Sequence, residues 1–138
     1  MLRLSKKTEY AILAMQYIAR SAERPVSAKE ISDNLNISFE FLSKTLQTLI
    51  KSSLIVSLQG KSGGYLLNRN ASEISIADII NALDEKSNVV ECSSSEMNDG
   101  TCGRQDECTI KNPMSEIQNK INNILYETTL AEFGTIYR

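Results

Sequence analysis

Residues 26–67 read VSAKEISDNLNISFEFLSKTLQTLIKSSLIVSLQGKSGGYLL. Ser27 followed three residues later by Glu30 has the form of a capping box, and it opens a short helix whose apolar residues are Ile31 and Leu35. Asn34-Leu35-Asn36-Ile37 is a tight connection. Ser38 then caps a second helix over 39–52, with Phe41, Leu42, Leu46, Leu49 and Ile50 as its inward face. Two short β-like runs follow, Leu54–Leu58 and Tyr65–Asn68. The glycines of Gln59-Gly60-Lys61-Ser62-Gly63-Gly64 between them supply the φ > 0 freedom that a hairpin tip needs. Short helix, tight turn, second helix and hairpin together make a winged helix-turn-helix.

Outward from this stretch, residues 5–21 are predicted to form an amphipathic helix. Ser5 is its N-cap, and Tyr10, Leu13, Ala14, Tyr17 and Ile18 recur at helical spacing towards a core. Arg24-Pro25-Val26 is a break. Ser75 caps another helix over 76–84, with Ile76, Ile79, Ile80 and Leu83 in phase. Asn112-Pro113 opens a long final helix as N-cap and first helical residue. In it Ile117, Ile121, Ile124 and Thr128 step by 4, 3 and 4, a coiled-coil-like stripe better suited to dimerisation than to an internal core. The expected fold class is mainly α with a small β-hairpin wing. The expected organisation is a winged helix-turn-helix domain at 1–85, a cysteine-containing loop at 86–112, and a dimerisation helix and tail at 113–138.

Charge is divided unevenly along the chain. The net charge is −2, yet residues 1–70 hold ten Lys/Arg against five Asp/Glu, and residues 71–138 hold five against twelve. A basic N-terminal half suits a polyanion partner. In a winged helix-turn-helix the second helix fits the major groove of duplex DNA. Its positions facing away from the core are Glu40, Ser43, Lys44, Gln47, Thr48 and Lys51, with Ser38 at its start. The wing tip offers Gln59, Lys61, Ser62 and Gly63, where a glycine-rich backbone can approach phosphates closely, and Lys6 and Lys7 add charge at the start of the first helix. A winged helix used for protein contacts, with these residues merely solvated, is the competing reading.

The 138 residues contain three cysteines and no histidine. Without histidine the commonest general base and commonest metal ligand are missing, which argues against an enzyme. No apolar run approaches a membrane span and no signal peptide is evident, so no membrane association and a soluble, cytoplasmic protein are expected. Three thiols in such a compartment argue against a disulfide framework. They cluster in ECSSSEMNDGTCGRQDEC as Cys92, Cys102 and Cys108. Zinc favours CxxC knuckles and four ligands, which this stretch lacks. A thiol–disulfide switch needs only two cysteines, and plain exposed thiols need no partner. An iron–sulfur cluster favours thiolates and tolerates irregular loops, but requires a fourth ligand. Glu91, Glu96, Asp99, Asp106 and Glu107 lie nearby, and spacing prefers none of them.

Taken together, these residues resemble the IscR/NsrR-type regulators, the Rrf-two family of winged-helix repressors, over nearly the whole chain. The resemblance is carried by Leu2-Arg3-Leu4-Ser5 with Thr8-Glu9-Tyr10-Ala11, by Ile37-Ser38-Phe39-Glu40-Phe41-Leu42, by Gly63-Gly64-Tyr65-Leu66-Leu67, and by the three-cysteine loop. It implies a homodimer with crossing C-terminal helices, each helix-turn-helix taking one half of a near-palindromic operator in double-stranded DNA. It implies an iron–sulfur cluster, 2Fe–2S or 4Fe–4S, held by Cys92, Cys102 and Cys108, whose presence or redox state controls DNA affinity in iron–sulfur assembly, redox or nitric-oxide response. One branch of the family ligates the cluster with a histidine three residues after the last cysteine; Lys111 stands there in this chain. Other branches use an acidic residue near the start of the first helix, supplied by the other subunit, which matches Glu9. The nine-residue first gap is longer than the family's usual spacing, Gln59 replaces a frequent wing arginine, and Ser43 replaces a glutamate that sorts operator classes in one branch.

Overall fold

The structure is a computed structural model that describes residues 3–21, 24–85 and 107–135. Element order is α1 (Lys6–Arg20), α2 (Ala28–Leu35), α3 (Phe39–Lys51), β1 (Ile55–Leu58), β2 (Gly64–Leu67), a 3-10 turn (Ala71–Glu73), α4 (Ile76–Ala82), α5 (Lys111–Glu127) and α6 (Leu130–Thr135). The fold is mainly helical with a two-stranded antiparallel hairpin, as expected.

α1 begins where Ser5 Oγ accepts the Thr8 N–H at 3.2 Å. Its buried face is Thr8, Ala11, Ile12, Ala14, Met15 and Ile18. The expected face was rotated: Leu13 is 41% exposed, and Tyr10 and Tyr17 are half-buried. The stripe that wins is the one bearing two alanines, because small side chains let neighbouring elements approach closely. The tyrosines work at its margins. Tyr10 meets Phe41 edge-on at 5.5 Å between ring centroids, and the Tyr17 hydroxyl donates to Glu30 at 3.1 Å.

The cap of α2 is half of the box expected. Ser27 Oγ accepts the Glu30 N–H at 3.1 Å. The Glu30 carboxylate pairs instead with the Arg24 guanidinium and with Tyr17, and Arg24 holds its pKa below the ordinary carboxylate value. A charged donor outside the helix outcompetes a backbone N–H. Asn36 makes the turn into α3 in the left-handed region, with φ 54° and ψ 44°. Ser38 precedes α3 but its side chain makes no capping bond. α3 buries Leu42, Thr45, Leu46 and Leu49, while Phe41 lies at the edge, 38% exposed.

α3 ends in a Schellman arrangement. The Leu54 N–H donates to the Leu49 carbonyl at 3.2 Å and the Ser53 N–H to the Ile50 carbonyl at 2.9 Å. Ser53 occupies the left-handed position normally taken by glycine, with φ 60°. The chain then enters the wing, where Ile55 pairs with Leu67 and Leu58 with Gly64. Val26, expected only to break the chain, pairs with Tyr65 through bonds of 3.1 and 2.8 Å and extends the wing towards α2. That pairing requires Gly64: a Cβ there would lie 2.6 Å from the Val26 carbonyl oxygen.

Ser75 caps α4 in a full capping box with Asp78, at 3.0 and 2.9 Å. α5 starts at Lys111 behind the N-cap Ile110, so Pro113 is its third residue rather than its first. This is harmless, since N–H groups of the first turn have no partner within the helix. After α5 the chain folds back onto the domain. Thr128 accepts from the Ile76 N–H at 2.9 Å and the Leu130 N–H donates to Ile74 at 2.8 Å. Thr129 and Glu132 form a capping box that launches α6, which packs on α1. Among the described residues no helix is long and apolar enough to cross a membrane.

Ser53→Gly should raise the unfolding free energy by about 0.5–1 kcal/mol, the relief of a non-glycine left-handed residue less the entropy glycine adds to the unfolded chain. Urea unfolding checks this, and an unchanged or lower midpoint would show that Ser53 is unstrained.

Candidate nucleic-acid interface and cysteine segment

The outward stripe of α3 has the character expected of it. Glu40, Lys44, Gln47 and Lys51 are exposed, and Ser43 and Thr48 are half-buried. Thr48 spends its hydroxyl on the Lys44 carbonyl at 3.1 Å, leaving mainly its methyl to face outward. Ser38 is exposed ahead of the helix. On the wing, Gln59, Gly60, Lys61 and Ser62 are exposed and Gly63 is half-buried. The Gly63 N–H donates to the Gly60 carbonyl at 3.0 Å, and a Cβ on Gly63 would strike the Leu58 carbonyl oxygen at 2.2 Å. The tip therefore presents backbone, with Lys61 as its cation. Packing of α3 on α2 and on β1 sets helix and wing together.

Lys6 and Lys7 stand in the first turn of α1, Lys6 exposed and Lys7 half-buried. The Lys6 ammonium pairs with Glu9 at 2.7 Å, which raises the lysine pKa through that hydrogen bond and the attendant charge. Two residues proposed for different tasks, phosphate contact and metal ligation, thus neutralise each other in the single chain. Exposed pairs of this kind are weak and exchange readily.

Cys92 and Cys102 lie outside the described residues. Cys108 is a free, half-buried thiol just ahead of α5. Among the described residues no three of His, Cys, Asp and Glu gather closely enough to hold a metal. Among the described residues, the Glu9 carboxylate has Lys6 as its side-chain partner.

A contact that the sequence reading missed fastens the beginning of the cysteine segment. Glu85 accepts a hydrogen bond from the buried Thr8 hydroxyl, and the Ser5 N–H approaches the same oxygen at 3.5 Å. Burial raises the Glu85 pKa, but the bonds from Ser5 and Thr8 outweigh it and hold the carboxyl below its ordinary 4.5. Nothing local could have signalled this pairing, because its partners are 77 residues apart. The chain thus leaves the helical domain anchored to the same turn of α1 that carries Lys6 and Glu9.

Thr8→Val keeps the shape and removes the donor, and should cost about 1 kcal/mol near neutral pH. A carboxyl whose folded pKa is depressed stabilises above its unfolded pKa and loses that contribution as pH falls through the folded value. The gap between wild type and Thr8→Val should therefore close as pH drops below 4.5, the ordinary value of this group. Thermal unfolding across acid pH measures it, and a pH-independent gap would remove Glu85 from the account.

Comparison with known proteins places these features in a family. Residues 4–135 match the family described as "Rrf2: Iron-dependent Transcriptional regulator". The chain is 35% identical to the HTH-type transcriptional regulator IscR of Serratia proteamaculans over 132 residues, 95% of this chain and 78% of that protein. It is 32% identical to IscR of Escherichia coli O1:K1 / APEC over 95% of this chain and 79% of that protein. Among solved structures, CymR of B. subtilis, the global cysteine regulator, superposes with a TM-score of 0.79 at 27% identity, covering all of both chains. T. potens IscR superposes with a TM-score of 0.75 at 29% identity, over 96% of this chain and 85% of that one. A winged helix-turn-helix with a basic outward helix face, matched from the first helix to α6, makes this chain a member of the Rrf2 family of DNA-binding transcriptional regulators.

Proposed function

We propose that the chain acts as a homodimer on a near-palindromic operator, and that an iron–sulfur cluster held by Cys92, Cys102, Cys108 and Glu9 controls its affinity for that DNA. The observation that carries the DNA-binding part is the exposed stripe of Glu40, Lys44, Gln47 and Lys51, with half-buried Ser43 among them, beside a glycine-rich wing tip. A second copy is supported by α5 and its cap: Ile110, Ile117 and Ile124, at heptad spacing, are 59%, 44% and 61% exposed in the single chain. Isoleucines left open in this register suit a facing helix.

The donor set fits the cluster chemically. Three thiolates and one carboxylate are acceptable ligands, Cys108 is free and within reach of solvent, and the Glu9 carboxylate is half-exposed. When bound, such a group supplies a redox-sensitive and nitric-oxide-sensitive centre. The chain's own residues supply the coupling. Glu9 as a ligand releases the Lys6 ammonium to solvent or phosphate. Glu9 and Thr8 share a turn of α1, and α1 packs on α3 and on β2. Engagement of Glu9 therefore bears on the element that supports the DNA-binding face, and couplings of this sort amount to about 1–3 kcal/mol.

A second reading keeps the same DNA-binding unit but uses the cysteines as a thiol–disulfide switch. Its support is that S. aureus CymR, solved in an oxidised form, superposes on this chain with a TM-score of 0.74 at 26% identity. Dependence of operator affinity on dithiol reductant in iron-free protein would favour it.

Anaerobic purification followed by iron and acid-labile sulfide analysis tests the cluster directly. Visible absorbance with both elements present is expected, and Glu9→Ala should lose iron faster at unchanged helical content. Protein that stays colourless after anaerobic reconstitution would overturn the cluster reading, and equal iron retention would remove Glu9 from the ligand set.

Lys44→Ala should weaken binding to operator and unrelated duplexes alike and reduce the salt dependence by roughly one phosphate contact. Titrations at several salt concentrations show it; a loss confined to the operator would recast Lys44 as a base reader.

A further inference from the structure

Phe39 is the first residue of α3 and is 53% exposed. Phe41, two residues on, is held against Tyr10, but no such ring partner is found for Phe39 among the described residues. Helical spacing puts Phe39 one turn before Ser43, on the flank of the polar stripe. With Ser27, Lys29, Leu58 and Gly60 it lines an open groove of about 430 Å³ between the start of α2 and the wing. Its lining sets Ser27 and Lys29 opposite Leu58, Gln59 and Tyr65 of the wing, so a cation stands beside apolar side chains, a combination that a duplex strand, anionic in its backbone and apolar at its thymine methyls, can meet.

A helix seated in the major groove presents its N-terminal residues to base edges. A phenyl ring can neither donate nor accept a conventional hydrogen bond, so it reads none of the polar pattern there. The one apolar mark on a base edge in that groove is the thymine 5-methyl group. We propose that Phe39 is a specificity-determining residue that reads a thymine methyl at one position of each operator half-site. Burying ring and methyl against each other removes apolar surface from water only when the correct base is present. The assignment rests on the DNA-binding reading given above.

The test starts by selecting operators for the full chain from a random duplex pool. Each thymine is then replaced singly by deoxyuridine, which deletes only the methyl. The wild-type chain should bind roughly fourfold more weakly at one thymine per half-site, about the effect of one buried methyl. Phe39→Ala should bind the thymine and deoxyuridine duplexes equally, and Phe39→Leu should keep part of the difference. The proposal is overturned if wild type is indifferent to every replacement, or if Phe39→Ala retains the wild-type difference. A change in helical content or oligomeric state in Phe39→Ala would assign the ring to packing and overturn it too. Failure of the pool to enrich any duplex would overturn the DNA-binding reading itself, which separates the two failures.

Discussion

Burial of one stripe of α1 is the constraint on which the domain rests. Ala11, Ala14, Met15 and Ile18 are all fully inaccessible to solvent, and α2, α3, α4, α6 and β2 all pack against the helix that carries them. The two alanines permit close approach, while Met15 and Ile18 each bring burial worth about 1.5–3 kcal/mol. Because helix-turn-helix, wing and chain end share this support, none of them is positioned independently. The first turn of α1 is where its other roles begin: Ser5 caps it, Thr8 holds Glu85, and Glu9 faces Lys6. An element that is both keystone and bearer of a candidate ligand is well placed to convey a change at that ligand to the DNA-binding face.

Much of this architecture was legible in the sequence because its signals are local. Ser5, Ser27 and Ser75 cap helices as read, and the glycine-rich hexapeptide makes the hairpin tip. What escaped depends on distance. The face of α1 was misjudged because spacing counts tyrosine and leucine as core candidates, whereas its neighbours required alanine. Glu30 left its box for Arg24, which a motif four residues long cannot foresee. α6 has a local signal too, Thr129 followed three residues later by Glu132, the same form as Ser75 and Asp78. In the candidate interface the polar stripe of α3 followed from periodicity. Phe39 did not, because it belongs to neither the inward set nor a stripe chosen for polar side chains, and Glu85 did not, because its partner is at the other end of the domain.

The two fastenings around the cysteine segment have a consequence in polymer terms. Upstream, Glu85 is tied to α1; downstream, α5 packs on α4 and Thr128 is bonded to Ile76. The ends of the segment that contains the cysteines are therefore set by the fold, whatever lies between them. Closing a chain segment whose ends are already fixed varies only logarithmically with its length, by about 0.6 kcal/mol for each doubling. Both anchorages are made by residues of the helical domain itself, so the DNA-binding surface does not draw its support from the spacing of the thiols.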